Sequence, residues 1–190
     1  MHDTHTAIEA RLLGEDATLD LGRLIGEASA AGLVLALEGD LGCGKTTLVR
    51  GIAEALRIDG NVASPTYTLM QTHTGGRLPL VHFDAWMEGR EKALLADGAD
   101  EFLQSDGISV VEWASRVEEW LPSDRVAVHL HHETLDSRRV VIEFMGKTGK
   151  TQERLLGSLR AALGTPPGEE PDPGTAQRSG KDGANSPHLE

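Results

Sequence analysis

Apolar residues fall along this chain in two patterns. The first is a short continuous run, as in Leu33 to Leu37 (LVLAL), Leu78 to Asp84 (LPLVHFD) and Ile108 to Trp113 (ISVVEW). Such runs read as strands buried on both faces. The second is helical spacing. Leu19, Leu21, Leu24, Ile25 and Ala28 recur behind Asp16, which is placed to cap a helix, and Gly32 closes it. Leu48, Val49, Ile52, Ala53 and Leu56 mark a second helix.

The remaining elements follow from turn residues. Ala7 to Leu13 reads as a short strand, after a polar residues 1–6 segment with nothing to fix it. Tyr67 to His73 and Leu78 to Asp84 flank Gly75-Gly76, which predicts a β-hairpin. Residues 90–104 predict one helix or two short ones, with Ala93, Leu94, Phe102 and Leu103 on the apolar faces. Ala114 to Trp120 reads as a short helix closed by Pro122. Val126 to His132 and Arg139 to Phe144 alternate as paired strands around Thr134 to Ser137, and Gln152 to Leu163 is an amphipathic helix.

Composition divides the chain. From Thr165 onward it holds five of the eight prolines, no aromatic residue and a single large aliphatic, Leu189. Such a segment buries too little to offset its chain entropy, so 165–190 is expected to be a disordered, acidic, Pro/Gly-rich tail after a folded domain at 1–164. The tail carries −3 of the net charge of −12, so the acidity belongs to the folded part. That balance argues against direct nucleic-acid binding as a stand-alone activity, DNA included. The single cysteine, Cys43, rules out an intrachain disulfide and suits a reducing cytoplasm. No apolar run approaches membrane-spanning length, and MHDTHTAIEAR offers no apolar signal region.

The chemistry concentrates after the first apolar run. Gly39, Asp40, Leu41, Gly42, Cys43, Gly44, Lys45 and Thr46 fit G-x-x-x-x-G-K-[ST], followed by Thr47 and the second helix. Glycines let such a loop turn its backbone N–H groups toward phosphate oxygens. Lys45 reaches the β- and γ-phosphates, the Thr46 hydroxyl ligates Mg²⁺, and the helix presents its positive end to the same anion. Strand, loop and helix stand in the order of a P-loop nucleotide-binding unit. The fold expected is α/β, a P-loop NTPase-like three-layer arrangement with a central, largely parallel sheet and added β-hairpins.

Turnover also needs an acid near the metal and a group that orients the attacking water. Two strand-end acids compete, Asp84 after LVHF and Glu112 after ISVV. Strand C-termini line the ligand crevice of an open α/β sheet, so both qualify. Ser64-Pro65-Thr66-Tyr67-Thr68 occupies the place of a switch segment whose hydroxyls sense the γ-phosphate. A polar turn into a strand explains the same residues equally well.

Taken together, GDLGCGKTT, SPTYTL, HFDAW and VVEW, in this order, resemble the TsaE (YjeE) family, from about Asp16 to Phe144. The resemblance implies a bacterial ATPase of tRNA threonylcarbamoyladenosine biosynthesis that works with the TsaB and TsaD proteins. TsaD performs the transfer, and tRNA is reached only through that complex. It implies ATP and Mg²⁺ as ligands, with Lys45 and Thr46 on phosphate and metal. Thr66 or Thr68 supplies the switch contact, Glu112 assists the metal, Asp84 positions or activates water, and Trp113 packs close to the nucleotide. The sequence departs from the family at Cys43, usually alanine, at Ala85-Trp86-Met87, where Tyr-Arg usually follows the acid, and at Ala114-Ser115, usually Pro-Glu.

Other features carry competing readings. Cys43 is either a thiol activated beside a helix end or a tolerated small residue. His129, His131 and His132 share a strand, without the accompanying ligands that a metal site needs. Trp86 and Trp120 read as core or interface aromatics, and Arg138 and Arg139 either approach a phosphate or flank a turn. Two other functions fit the loop. A small-molecule kinase would want an arginine-rich lid, and only Arg138-Arg139 offers one. A GTP-dependent regulatory module would want N-K-x-D, which the chain lacks.

Overall fold

The computed structural model describes residues 6–87, 89–90, 101, 103, 106–147 and 149–164. Most of the helix expected over 90–104 and the tail expected over 165–190 lie outside the described residues. The elements run β1 (Thr6–Leu13), α1 (Gly14–Ala28), β2 (Leu33–Glu38), α2 (Lys45–Ala55), β3 (Met70–His73), β4 (Leu80–Asp84) and β5 (Ile108–Glu112). A 3-10 segment (Ala114–Trp120), β6 (Arg125–His132), β7 (Ser137–Met145) and α3 (Lys150–Leu163) follow.

The strands form one sheet in the order β1-β7-β6-β2-β5-β4-β3. Its centre, β6-β2-β5-β4, is parallel, and antiparallel partners close both edges. At one edge β3 forms a hairpin with β4; at the other, β1 pairs with β7 of the β6–β7 hairpin. Alternation along the strands divides the interior in two. Leu33, Leu35 and Leu37 face a core shared with α1, α2 and α3. Val34 and Ala36 face a smaller core with Val81, Phe83, Leu103, Ala114 and Val117. The mixed α/β, P-loop-like layering expected from the sequence is therefore present. Among the described residues no helix is long and apolar enough to cross a membrane.

Several boundaries differ from the sequence pattern, for local reasons. Asp16 does not cap α1. Gly14, at φ +76°, turns the chain directly from strand to helix, Leu13 takes the cap position, and Asp16 joins Glu15 in the first turn. There both acids face the positive end of the helix dipole. The helix ends at Ala28 rather than near Gly32, because Ser29 turns to extended backbone (φ −70°, ψ 149°), its hydroxyl donating back to the Ile25 carbonyl at 2.6 Å. The strand expected from Tyr67 begins only at Met70. Leu69 takes a left-handed conformation (φ +63°) and its N–H donates to the Pro65 carbonyl at 2.6 Å, which curls residues 65–69 into a turn. The helix after β5 is a 3-10 segment broken at Val117 (φ −128°).

Helix α2, which begins at the loop lysine, is set in place by α1 through glycine. A Cβ on Gly22 would overlap the Leu48 carbonyl oxygen, and one on Gly51 would overlap that of Leu19. The backbones thus approach as closely as only glycine permits. Gly22→Ala or Gly51→Ala should therefore destabilise the chain by about 2–3 kcal/mol through overpacking. Gly157→Ala, in α3 with open space at its Cβ, should stabilise it by about 0.5–1 kcal/mol. Urea denaturation midpoints of the three variants check this; equal midpoints would contradict the close crossing.

Candidate active site

The loop from Gly39 to Gly44 joins β2 to α2 at the C-terminal edge of the sheet. Gly39, Gly42 and Gly44 hold φ of +141°, +75° and +110°. Gly39 also lacks space for any side chain, since a Cβ would overlap the Leu130 carbonyl oxygen of β6. The loop is pinned from outside by Arg138, whose Nε donates to the Cys43 carbonyl at 2.8 Å. Arg139 instead reaches Glu9 at 3.1 Å. Of the two arginines, one braces the loop and the other flanks β1.

Lys45 is buried at the first position of α2. Its ammonium donates to the Gly39 carbonyl at 2.6 Å and the Asp40 carbonyl at 3.0 Å, and lies 3.8 Å over the Trp113 ring. Trp113 owes that position to a left-handed backbone (φ +59°, ψ +41°) directly after β5. For a bulky residue this conformation costs on the order of 1–2 kcal/mol. Trp86 lies against it with ring centroids 4.5 Å apart, and the Arg116 guanidinium sits 5.2 Å over Trp86.

Parallel register brings the two acids together. Leu37, Glu112 and Asp84 stand side by side across β2, β5 and β4. Both carboxyl groups are buried and hydrogen-bonded. Glu112 Oε1 accepts from the Thr46 hydroxyl at 2.9 Å and from His82 Nε2 at 2.9 Å. Asp84 Oδ2 accepts from Thr66 at 2.7 Å and from Ser64, and its Oδ1 accepts from the Trp86 N–H at 2.9 Å. The acids therefore serve different neighbours: Glu112 the phosphate loop, Asp84 the Ser64–Thr66 segment.

Between them lies a cleft of about 230 Å³. Leu41, Gly42, Gly44, Lys45, Thr46 and Thr47 supply one wall; Ser64, Thr66, Asp84, Glu112 and Trp113 supply the other. Of the residues expected to bind, Asp40, Cys43 and Thr68 do not line this cleft. Asp40 is exposed, Cys43 is wholly buried, and the Thr68 hydroxyl points to the Pro65 carbonyl at 3.5 Å. His82 joins the site without having been singled out from the sequence, and Ser64 joins it from within the expected switch segment. The signal for His82 was present: it lies two residues before Asp84 in a strand, hence on the same face.

A second cavity of about 240 Å³ lies on the other face of the sheet, floored by Ala36 and Ala127. Of its charged groups, Arg125 pairs with Glu118 and His129 with Glu143, both at 3.1 Å, and Glu38 accepts from the Ser115 N–H. His129 and His131 stack at 6.5 Å, and no cluster of three metal-ligating side chains occurs among the described residues. Of these two, the cleft at the loop is the one that brings together a lysine, hydroxyls and carboxylates. Those groups fit a magnesium–triphosphate ligand: cation and backbone N–H for phosphate, hydroxyl and carboxylate for a hard divalent ion.

Comparison with known proteins gives concordant matches. Residues 12–141 match the family model described as "Threonylcarbamoyl adenosine biosynthesis protein TsaE". The chain is 37% identical over 137 residues to the tRNA threonylcarbamoyladenosine biosynthesis protein TsaE of Bacillus subtilis, covering 72% of this chain and 85% of that protein. It is 39% identical over 136 residues to the Nostoc protein of the same name, covering 69% and 82%. The crystal structure of Bacillus subtilis YdiB superposes with a TM-score of 0.70 at 30% identity, covering 85% of this chain and 99% of that one.

Burial decides between the two readings of Cys43. The side chain is 0% exposed and desolvation pushes its thiol pKa up, against the lowering effect of nearby Lys45. A buried, protonated thiol is a poor nucleophile. A disulfide reagent should thus titrate one thiol per chain in denaturant and react about 100-fold more slowly with the folded chain. Equal rates would contradict the burial.

Proposed function

The chain belongs to the TsaE family, and from that premise we propose that it binds and hydrolyses ATP with Mg²⁺ in tRNA threonylcarbamoyladenosine formation, acting through the TsaB–TsaD pair. The observation that carries this reading is the Thr46–Glu112 hydrogen bond at 2.9 Å. It joins the metal-binding hydroxyl of the phosphate loop to a buried strand-end carboxylate, the pairing that an Mg²⁺-nucleotide site requires.

The roles follow from position. Loop N–H groups and Lys45 hold the phosphates. Thr46 offers its oxygen to Mg²⁺ while its hydroxyl donates a hydrogen bond to Glu112. A bound Mg²⁺ would be held at the Thr46 oxygen with the help of Glu112 and would supply neutralisation of phosphate charge. Asp84, anchored by Ser64, Thr66 and the Trp86 N–H, faces the same cleft and orients the attacking water. Because Asp84 and the Ser64–Thr66 turn share hydrogen bonds, a change at the γ-phosphate position reaches exposed Tyr67 through one short segment. Trp113 excludes water above Lys45.

The distribution of exposed apolar groups supports action through a protein partner. Among the described residues the large exposed hydrophobics are Leu13, Leu41, Tyr67, Trp86 and Leu135. Leu13 ends β1, Leu135 tips the β6–β7 turn, Leu41 sits in the phosphate loop, and Tyr67 and Trp86 border the end of β4. All five thus border the sheet edge that carries the cleft. A rim with Leu135 at 96% and Tyr67 at 83% exposure suits a surface that is covered in a complex. The single buried thiol suits a cytoplasmic setting.

The test is reconstituted tRNA threonylcarbamoylation with the other components and wild-type chain, Lys45→Ala or Glu112→Ala. Wild type should support repeated turnover, and each variant should lower the yield by about tenfold or more. Equal modification in all three would overturn the proposal.

A further inference from the structure

A histidine in the middle of a buried strand needs a reason. His82 is 0% exposed, with Leu80 two residues before it on the same face of β4. Only one of its ring nitrogens is used. Nε2 meets Glu112 Oε1 at 2.9 Å, while Nδ1 has no hydrogen-bond partner. An unpaired buried polar atom destabilises the folded chain. An aliphatic side chain would fill the position without that cost.

We propose that His82 is the positioning residue for Glu112, and that it acts by fixing the carboxylate so that Thr46 presents its oxygen to the metal. A carboxylate only accepts, so His82 donates through Nε2–H. The Thr46 hydroxyl has one proton and uses it in the hydrogen bond that it donates to the same Oε1. Its lone pairs are then turned away from Glu112, toward the cleft that both residues line. Removing the His82 bond leaves Glu112 held through Thr46 alone, free to rotate and to release that hydroxyl. The orphaned Nδ1 is the cost of a donor at this one place. His82 stands beside Val110 in register, two residues short of Glu112, so its reach to the carboxylate is diagonal and depends on side-chain length.

That length dependence gives the test. Glutamine places an amide N–H close to where Nε2 lies, whereas asparagine is one methylene too short. ATP affinity is measured by calorimetry with Mg²⁺ and with EDTA for wild type, His82→Gln and His82→Asn, with thermal melts as a check on folding. The expected result is equal affinity in EDTA for all three, within about twofold. The Mg²⁺-dependent gain should be kept in His82→Gln and reduced at least fivefold in His82→Asn. Equal gains in all three chains, or equal losses in the two variants, would overturn the role of His82 and leave the ATPase reading, on which it rests, standing. A wild-type chain that gains nothing from Mg²⁺ would overturn both.

Discussion

The site depends on the register of three parallel strands. Leu37, Glu112 and Asp84 are level across β2, β5 and β4. A slip of one residue in either pairing would turn a carboxylate to the opposite face of the sheet. Register here is fixed by burial on both sides, since every residue of β4 and β5 is buried. The apolar alternation that fills the two cores therefore also sets the two acids against the phosphate loop. Glycine performs the matching task for the helix. The close crossing of α1 and α2 at Gly22 and Gly51 holds the lysine and threonines at the start of α2 to the end of β2.

Burying Lys45, Asp84 and Glu112 opposes folding, because an unpaired ion in the interior costs several kcal/mol. Each is held by more than one partner. Lys45 has two carbonyls and the Trp113 face, Glu112 has Thr46 and His82, and Asp84 has two hydroxyls and a backbone N–H. The arrangement is preorganised in the sense that matters for a phosphate site: the donors and acceptors are oriented by the fold itself. Of the three left-handed non-glycine residues among those described, Arg57, Leu69 and Trp113, the last two lie beside it. One closes the Ser64–Thr66 turn and the other lays an indole over the lysine.

Much of this was legible in the sequence, and the exceptions share a cause. The loop, its lysine and both acids follow from a run of β-branched and aliphatic residues ending in glycine or carboxylate, a local signal. The family resemblance follows from motifs of the same kind. What the pattern missed is tertiary. Tyr67 to Leu69 has strand-forming residues but is curled into a turn by the Leu69 N–H to Pro65 bond, and the residues just before it, Ser64 and Thr66, are tied to Asp84 across the sheet. Asp16 looks like a cap, yet Gly14 starts the helix earlier. Trp113 belongs by composition to the strand and is set outside it by its backbone. His82 reads as one more residue of an apolar run until β5 is laid beside β4. Thr66 and Thr68 were indistinguishable by spacing, and only the turn puts one hydroxyl on Asp84 and the other on a carbonyl.

The division of labour between the two acids is the central claim, and single-turnover phosphate release tests it most directly. Purified chain is mixed with radiolabelled ATP and Mg²⁺, and binding is measured on the same samples. For Asp84→Asn the account predicts hydrolysis slowed by about 100-fold with ATP binding retained within a few-fold. An Asp84→Asn chain that hydrolyses ATP at the wild-type rate, or one that no longer binds ATP, would contradict it.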